Sequence, residues 1–348
     1  MTATLPERPS AESTAKRKVS AIVTTAPQTQ PPKRVSIKNL PINLFGSVMG
    51  LSGLSLAWNL AHKYFGADPA IGRAIGNVAV VVFLTLSTGY IVKFFKYPAT
   101  VRAEFAHPIT GNFFGTFTIS LLLLSSVVSP YGELLAQTVW TLGTISTVLL
   151  SFVVATRLLK GRQDPAHAVP AWLIPGVATL DVAVAGAHMP MSWAYEVNMF
   201  AIAIGVVIAL VFFTMIFARL VNHEALPAGM APSLMIMIAP FEVGFLAYTN
   251  VAGHIDMFAS LLFYFGLFMF ITLSFKVFRK SNSFSASWWA ISFPIAALSN
   301  AALKYAAAQN TVPLFVISGL ILTFLTVAIA VLLIRTLHIA INGKLLAG

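Results

Sequence analysis

The sequence contains no cysteine and very little charge. Without cysteine there are no disulfides, no thiolate metal sites and no cysteine nucleophile. Charged residues make up 9% of the 348 residues, against about 25% in an ordinary soluble domain. A chain this poor in charge cannot clothe a water-exposed surface. Hydrophobic residues fill the gap at 57%, the mean hydropathy is +0.83, and the solvent they imply is lipid. The net charge of +11 and the pI near 10.0 would suggest a nucleic-acid partner for a soluble protein. Here the basic residues sort to one side of a membrane, and no nucleic-acid partner is expected.

Residues 1–38 are rich in Pro, Thr, Ser, Lys and Arg and lack an apolar core long enough for a signal peptide, which reads as a disordered, basic, cytoplasmic tail. From residue 39 to 343 the chain reads as a transmembrane domain, with residues 344–348 as a short cytoplasmic C-terminus. Apolar segments long enough to cross a hydrocarbon core of about 30 Å recur near 41–62, 72–95, 108–129, 132–157, 170–189, 194–219, 227–251, 255–277, 284–306 and 311–340. Ten spans place both termini on one side. Of the 22 Lys and Arg residues, only Lys63, Arg73 and Lys304 then fall on the other, so the positive-inside rule puts both termini in the cytoplasm.

The odd-numbered spans share an entrance proline followed by glycine or a second proline: "LPINLFGSVMG", "HPITGNFFG", "VPAWLIPG" and "LPAGMAPS", with Pro41, Pro108, Pro170 and Pro227. The fifth, from Phe284, lacks that proline. The recurrence, at steps of roughly 60 residues, predicts five helical hairpins in series. Pro175, Pro232, Pro240 and Pro294 fall inside odd spans and are expected to kink them and to line a cavity, because a freed carbonyl in lipid needs protein or water beside it. Odd helices, rich in small residues, are expected inside and even helices outside. Close helix packing is the plainer account of the same residues.

The segments "LPINLFGSVMGLSGLSLAWN", "LPAGMAPSLMIMIAP", "FSASWWAISFPIAALS" and "VPLFVISGLI" resemble the tellurite-resistance/dicarboxylate transporters, which include bacterial TehA proteins and the slow-type anion channels of plant guard cells. The resemblance runs from about Leu40 to Gly343. It implies an all-α polytopic protein of ten transmembrane helices, arranged as five hairpins in quasi-fivefold order around a central pore lined by the odd helices. It also implies a homotrimer with one pore per subunit, passage of small anions, residence in a cell membrane (a bacterial inner membrane by the likeness to TehA) and a phenylalanine on the ninth helix that plugs the pore. Phe293 occupies that position. The sequence departs from the bacterial pattern in having Pro294 where glycine usually follows the plug, and in Asp181 and Glu242, where apolar residues are expected.

On a helix, Phe293, Ala297, Asn300 and Lys304 fall on one stripe, a large ring leading to polar groups at the outer end. Two readings of Phe293 stand, gate or packing. Lys304 either attracts anions at the outer mouth or snorkels to the interface. Asp181 and Glu242, eleven residues past Pro170 and fifteen past Pro227, lie near mid-membrane at about 1.5 Å per residue. They either couple protons to transport or face other helices and accept hydrogen bonds. His188, on the face of Asp181, reads as a relay or an interface histidine, and Trp58, Trp172 and Trp193 as interface anchors.

No constellation suits catalysis, a metal or a nucleotide, so neither enzyme activity nor a cofactor is expected. The leading expectation is a gated anion channel for chloride, nitrate or similar ions. The alternative is a proton-coupled secondary transporter of C4-dicarboxylate, sulfite or tellurite-like oxyanions. A receptor or scaffold rests on the basic tail alone.

Overall fold

The computed structural model describes residues 35–161, 164–279 and 284–347; most of the expected tail, and Arg162 and Lys280 of the basic count, lie outside them. Within the described residues there are eleven α-helices: α1 (Phe45–Phe65), α2 (Pro69–Lys96), α3 (Pro98–Ala106), α4 (Phe114–Val128), α5 (Glu133–Leu159), α6 (Leu173–Gly186), α7 (Ala194–Asn222), α8 (Ala239–Ala252), α9 (Met257–Val277), α10 (Ser292–Gln309) and α11 (Val312–Ile341). Eight helical segments among the described residues are long and apolar enough to cross a membrane, and Pro170–Gly186 is a shorter apolar one. The chain is an all-α, multi-pass membrane protein.

Five helices, α1, α4, α6, α8 and α10, start from a 3₁₀ lead-in: Ile42–Leu44, Thr110–Phe113, Pro170–Trp172, Ala228–Ile238 and Ala286–Ile291 respectively. Four of the lead-ins follow or begin with the entrance prolines. Proline fixes its own φ and pushes the preceding residue to extended backbone, as at Val169 (φ −110°, ψ 160°). The chain therefore turns sharply into each helix. The fifth lead-in does without proline.

Those lead-ins relocate the internal prolines. Pro175 and Pro294 are the third residues of α6 and α10, and Pro240 is the second of α8. Each therefore stands at the junction between a 3₁₀ lead-in and an α-helix, not in the middle of an α-helix. Pro232 alone sits inside a lead-in, the eleven-residue 3₁₀ run Ala228–Ile238.

Each of the five packs on the helix after it: α1 on α2, α4 on α5, α6 on α7, α8 on α9 and α10 on α11. They also touch one another in cyclic order, α1 to α4, α4 to α6, α6 to α8, α8 to α10 and α10 back to α1. Burial follows the same division. The long apolar segments containing α1, α4 and α8 are 61 to 78% buried, whereas α2, α5, α7, α9 and α11 are 11 to 33% buried and expose Leu84, Leu149, Leu210, Phe268 and Leu320. Apolar exposure on that scale belongs to a lipid-facing surface.

At one end of the layer the chain's two described ends meet. Val35 pairs with Ala347, and the Ser36 N–H and Asn39 Nδ2 donate to the Leu346 carbonyl at 3.1 and 2.9 Å. The same end, called here the terminal end, holds Lys93. Lys93, one of the basic residues on the cytoplasmic side of the positive-inside count, is fully buried. It donates to the Leu40 carbonyl at 2.7 Å and pairs with Glu104 of α3 at 2.5 Å, while Tyr90 donates to the other Glu104 oxygen.

Candidate functional site

Two cavities occupy the space enclosed by the five buried helices. A terminal-end cavity of about 220 Å³ is bordered by the first turns and lead-ins, with Asn43, Gly46, Thr116, Val177, Ser233 and Trp289 on its wall. A larger one of about 660 Å³ opens at the far end, among the C-terminal halves of the same helices. Phe293 borders both, and among the described residues no other does. Its side chain is 6% exposed. The lead-in Ala286–Ile291 ends one residue before α10 begins at Ser292, which fixes the backbone from which the ring projects.

The whole stripe read from the sequence, Phe293, Ala297, Asn300 and Lys304, borders the far cavity. Asn300 spends its amide hydrogens on backbone, donating to the Gly53 carbonyl at 2.9 Å and the Ala296 carbonyl at 2.8 Å. Its carbonyl oxygen is what remains to face the cavity. Lys304 donates to Thr249 Oγ1 at 2.9 Å and to Asn250 Oδ1, so it is held over α8 and does not snorkel freely. Asn250 is fixed in turn by donating to the Val184 carbonyl at 2.9 Å. Lys63 is a second ammonium on this wall. Lys63, Thr249 and Asn250 are site residues that sequence reading missed; the spacing of Asn59 and Lys63, one helical turn apart, was the available signal.

The two buried acids part company. Asp181 borders the far cavity together with His188, and among the described residues its Oδ2 has no hydrogen-bond partner. Glu242 is fully buried and borders neither cavity. Its carboxyl is pressed against Gly266 of α9, where a methyl group would overlap Oε1, and both its oxygens lack a partner. The expectation that the acids accept hydrogen bonds from hydroxyls does not hold for these three oxygens. Glu242 stands in the first turn of α8 because the lead-in before it is 3₁₀.

Pro175, Pro232 and Pro240 are not among the residues bordering either cavity; their neighbours Ile174, Val177, Ser233, Ile236 and Ala239 are. Pro294, the proline beside the ring, does border the terminal-end cavity. The aromatic anchors also divide. Trp172 is buried and donates to the Pro108 carbonyl at 3.2 Å, Trp58 reaches Thr326 at 3.3 Å, and only Trp193 is exposed, stacked on Trp140. Beyond the far cavity, Asp256 caps α9. The Ala259 N–H and the Tyr248 hydroxyl donate to its carboxylate at 2.9 and 2.6 Å, and these donors hold its pKa below the usual carboxylate value.

The family model described as voltage-dependent anion channel, SLAC1, matches residues 39–337. Similar proteins include the S-type anion channel SLAH3 of Arabidopsis thaliana, 26% identical over 306 residues that cover 85% of this chain and 48% of the relative. The guard cell S-type anion channel SLAC1 of the same plant is 28% identical over 310 residues, 85% of this chain and 55% of its own length. The tellurite resistance protein TehA homolog of Haemophilus influenzae is 26% identical over 276 residues, 76% of this chain and 81% of the relative. The chain thus spans about half the length of these two plant relatives.

Proposed function

The chain belongs to the voltage-dependent anion channel family, and we propose that it is a gated channel for small anions such as chloride or nitrate, without catalytic chemistry or a cofactor. On this reading ten membrane helices form five hairpins in quasi-fivefold order around a pore, both termini are cytoplasmic, and three copies assemble with one pore each. The cyclic contacts of α1, α4, α6, α8 and α10 support that arrangement. The observation that carries the channel reading is the position of Phe293, the single described residue common to the two cavities. A phenyl ring between two cavities large enough for water offers a hydrated anion no polar partner, so it acts as both a steric and a dehydration barrier. Current recordings on purified Phe293→Ala in planar bilayers test it: a conductance no larger than that of the parent protein would sink the gate.

A second reading has its own observation. Asp181 borders the far cavity with an unpartnered oxygen, and a carboxyl group in an anion path repels cargo unless it carries a proton. A proton-coupled transporter of C4-dicarboxylate, sulfite or tellurite-like oxyanions would use that proton. Anion uptake into proteoliposomes driven by a pH gradient, and absent without one, would favour it over the channel.

A further inference from the structure

A third cavity, of about 320 Å³, lies apart from the other two and shares no bordering residue with them. It opens at the terminal end between α5 and α7 and is floored by two lead-ins, Thr110–Phe113 through Gly111 and Asn112 and Pro170–Trp172 through Trp172. Its polar wall is cationic and donor-rich. Arg157 and Lys160 border it from the end of α5, and His107 and Asn112 from the loop after α3. The Arg157 Nη1 donates to the Phe105 carbonyl at 2.6 Å, and its guanidinium lies 4.3 Å from the centre of the Phe105 ring. That contact fixes the plane of the fork beside the opening.

His107 adds a directed donor. Its Nδ1 accepts the backbone N–H groups of Ile109 and Thr110 at 3.2 and 3.1 Å, so in the neutral ring the proton is on Nε2. Asn112 is 7% exposed, and its Nδ2 is committed to the Pro108 carbonyl at 2.8 Å. Among the described residues no carboxylate borders the cavity. The cavity also has an apolar lining, from Val154 and Leu158 of α5 and Phe212 of α7. The two helices that flank it face lipid through Phe152 and Leu159 on α5 and Val211 and Met215 on α7.

We propose that this pocket binds a phosphate-bearing anion, held by Arg157, Lys160 and His107, with an anionic phospholipid of the adjacent leaflet as its source. A guanidinium and an ammonium on a wall with no acid among its described residues match a phosphate ester, which accepts several charge-assisted hydrogen bonds. The apolar lining and the lipid-facing flanks suit the glycerol and acyl portion, and basic pockets between membrane helices at the headgroup level hold such lipids. The site also has a lever on the central cavities. Phe113 and Thr116, just after Gly111 and Asn112, border the terminal-end cavity, and so does Ile174, two residues past Trp172. A ligand in the pocket would hold two lead-ins at fixed angles. The inference does not depend on whether the central path is a channel or a coupled transporter.

Native mass spectrometry of the full chain, titrated with phosphatidylglycerol or phosphatidylcholine, tests the site without a flux measurement. The expected result is one phosphatidylglycerol per chain, bound about tenfold more tightly than phosphatidylcholine. Lys160→Gln and Arg157→Gln should each weaken it about tenfold, the loss of one charge-assisted hydrogen bond, and Lys344→Gln should leave it unchanged. Lys160 is exposed at the end of α5, so Lys160→Gln keeps the test valid if Arg157→Gln assembles poorly. Competition with inorganic phosphate and glycerol 3-phosphate separates the sources: displacement of the lipid assigns the site to free phosphate esters, and retention assigns it to the phospholipid. Equal binding of the two lipids, or phosphatidylglycerol binding unchanged in Lys160→Gln and Arg157→Gln, would overturn the proposal.

Discussion

Gly53 of α1 lies so close to Ala296 of α10 that a Cβ on the glycine would stand 2.6 Å from the Ala296 Cβ. One turn before Ala296 is Phe293, so the helix carrying the ring is seated against α1 at Gly53, and again at Gly50, where a Cβ would stand 2.6 Å from the Ser292 Cβ. At Gly53 neither atom is the end of a flexible chain, and the helices must separate to admit Gly53→Ala. That overpacking should cost about 1 to 3 kcal/mol, seen as a lower thermal midpoint in detergent. Gly53→Ala combined with Ala296→Gly should recover most of it, because the two changes share one contact. A double variant as unstable as the single one would show that the contact is not the cause.

Truncation at Phe293 should open the path in proportion to the volume removed, Phe293→Ala conducting more chloride and nitrate than Phe293→Leu, and both more than the parent. The ring borders space on two sides. Its loss should therefore cost less than the roughly 3 to 5 kcal/mol typical of a phenylalanine deleted from a packed core. Bilayer currents and a melting curve on the same preparation check both halves.

The two buried acids should respond differently to removal of their charge. Glu242 borders neither central cavity and neither oxygen has a partner, so Glu242→Met, which keeps the shape, should leave anion flux unchanged and stability equal or higher. Asp181→Asn changes a group on the far cavity. On the channel reading flux persists in it, and a loss of pH-driven uptake in Asp181→Asn alone would move the assignment to the transporter.

The pair of Lys93 and Glu104 should be costly to break from one side. Glu104→Ala leaves a fully buried ammonium with the Leu40 carbonyl as its hydrogen-bond partner, a loss of about 3 to 5 kcal/mol for an uncompensated charge. Replacing both, as in Lys93→Met with Glu104→Ala, should cost less than Glu104→Ala alone. Chemical denaturation of the three variants in one detergent measures it.

Acidification should loosen the start of α9. The donors to Asp256 lower its folded pKa below the unfolded value of about 3.9. The capping stability it gives is therefore complete above that value and is lost as pH falls through the lower folded one. Amide exchange at Ala259 should speed up over that acidic range, and Asp256→Asn should abolish the slope.

Sequence alone established the lipid solvent and the division between helices that touch lipid and helices that do not. Lipid offers no hydrogen bonds, so each crossing has to be written as a long apolar run. Close packing in place of a hydrophobic drive writes glycine, serine and alanine into the inner helices, as at Gly53, Ser292 and Ala296. It also marked the stripe from Phe293 to Lys304, because residues three and four apart share a helix face whatever surrounds them. Tertiary structure decided the rest. The 3₁₀ lead-ins set where each α-helix starts, which moved Pro175, Pro240 and Pro294 from the middle of a helix to its first turn. The rotation of each helix about its own axis, fixed by its neighbours, turned Asp181 toward a cavity and Glu242 toward Gly266. The partner of Lys93, eleven residues on at Glu104, exists only because α3 folds back under α2. None of these follows from local spacing, since a side chain's surroundings in lipid are set by which helix packs beside it, and that is a property of the assembled ring.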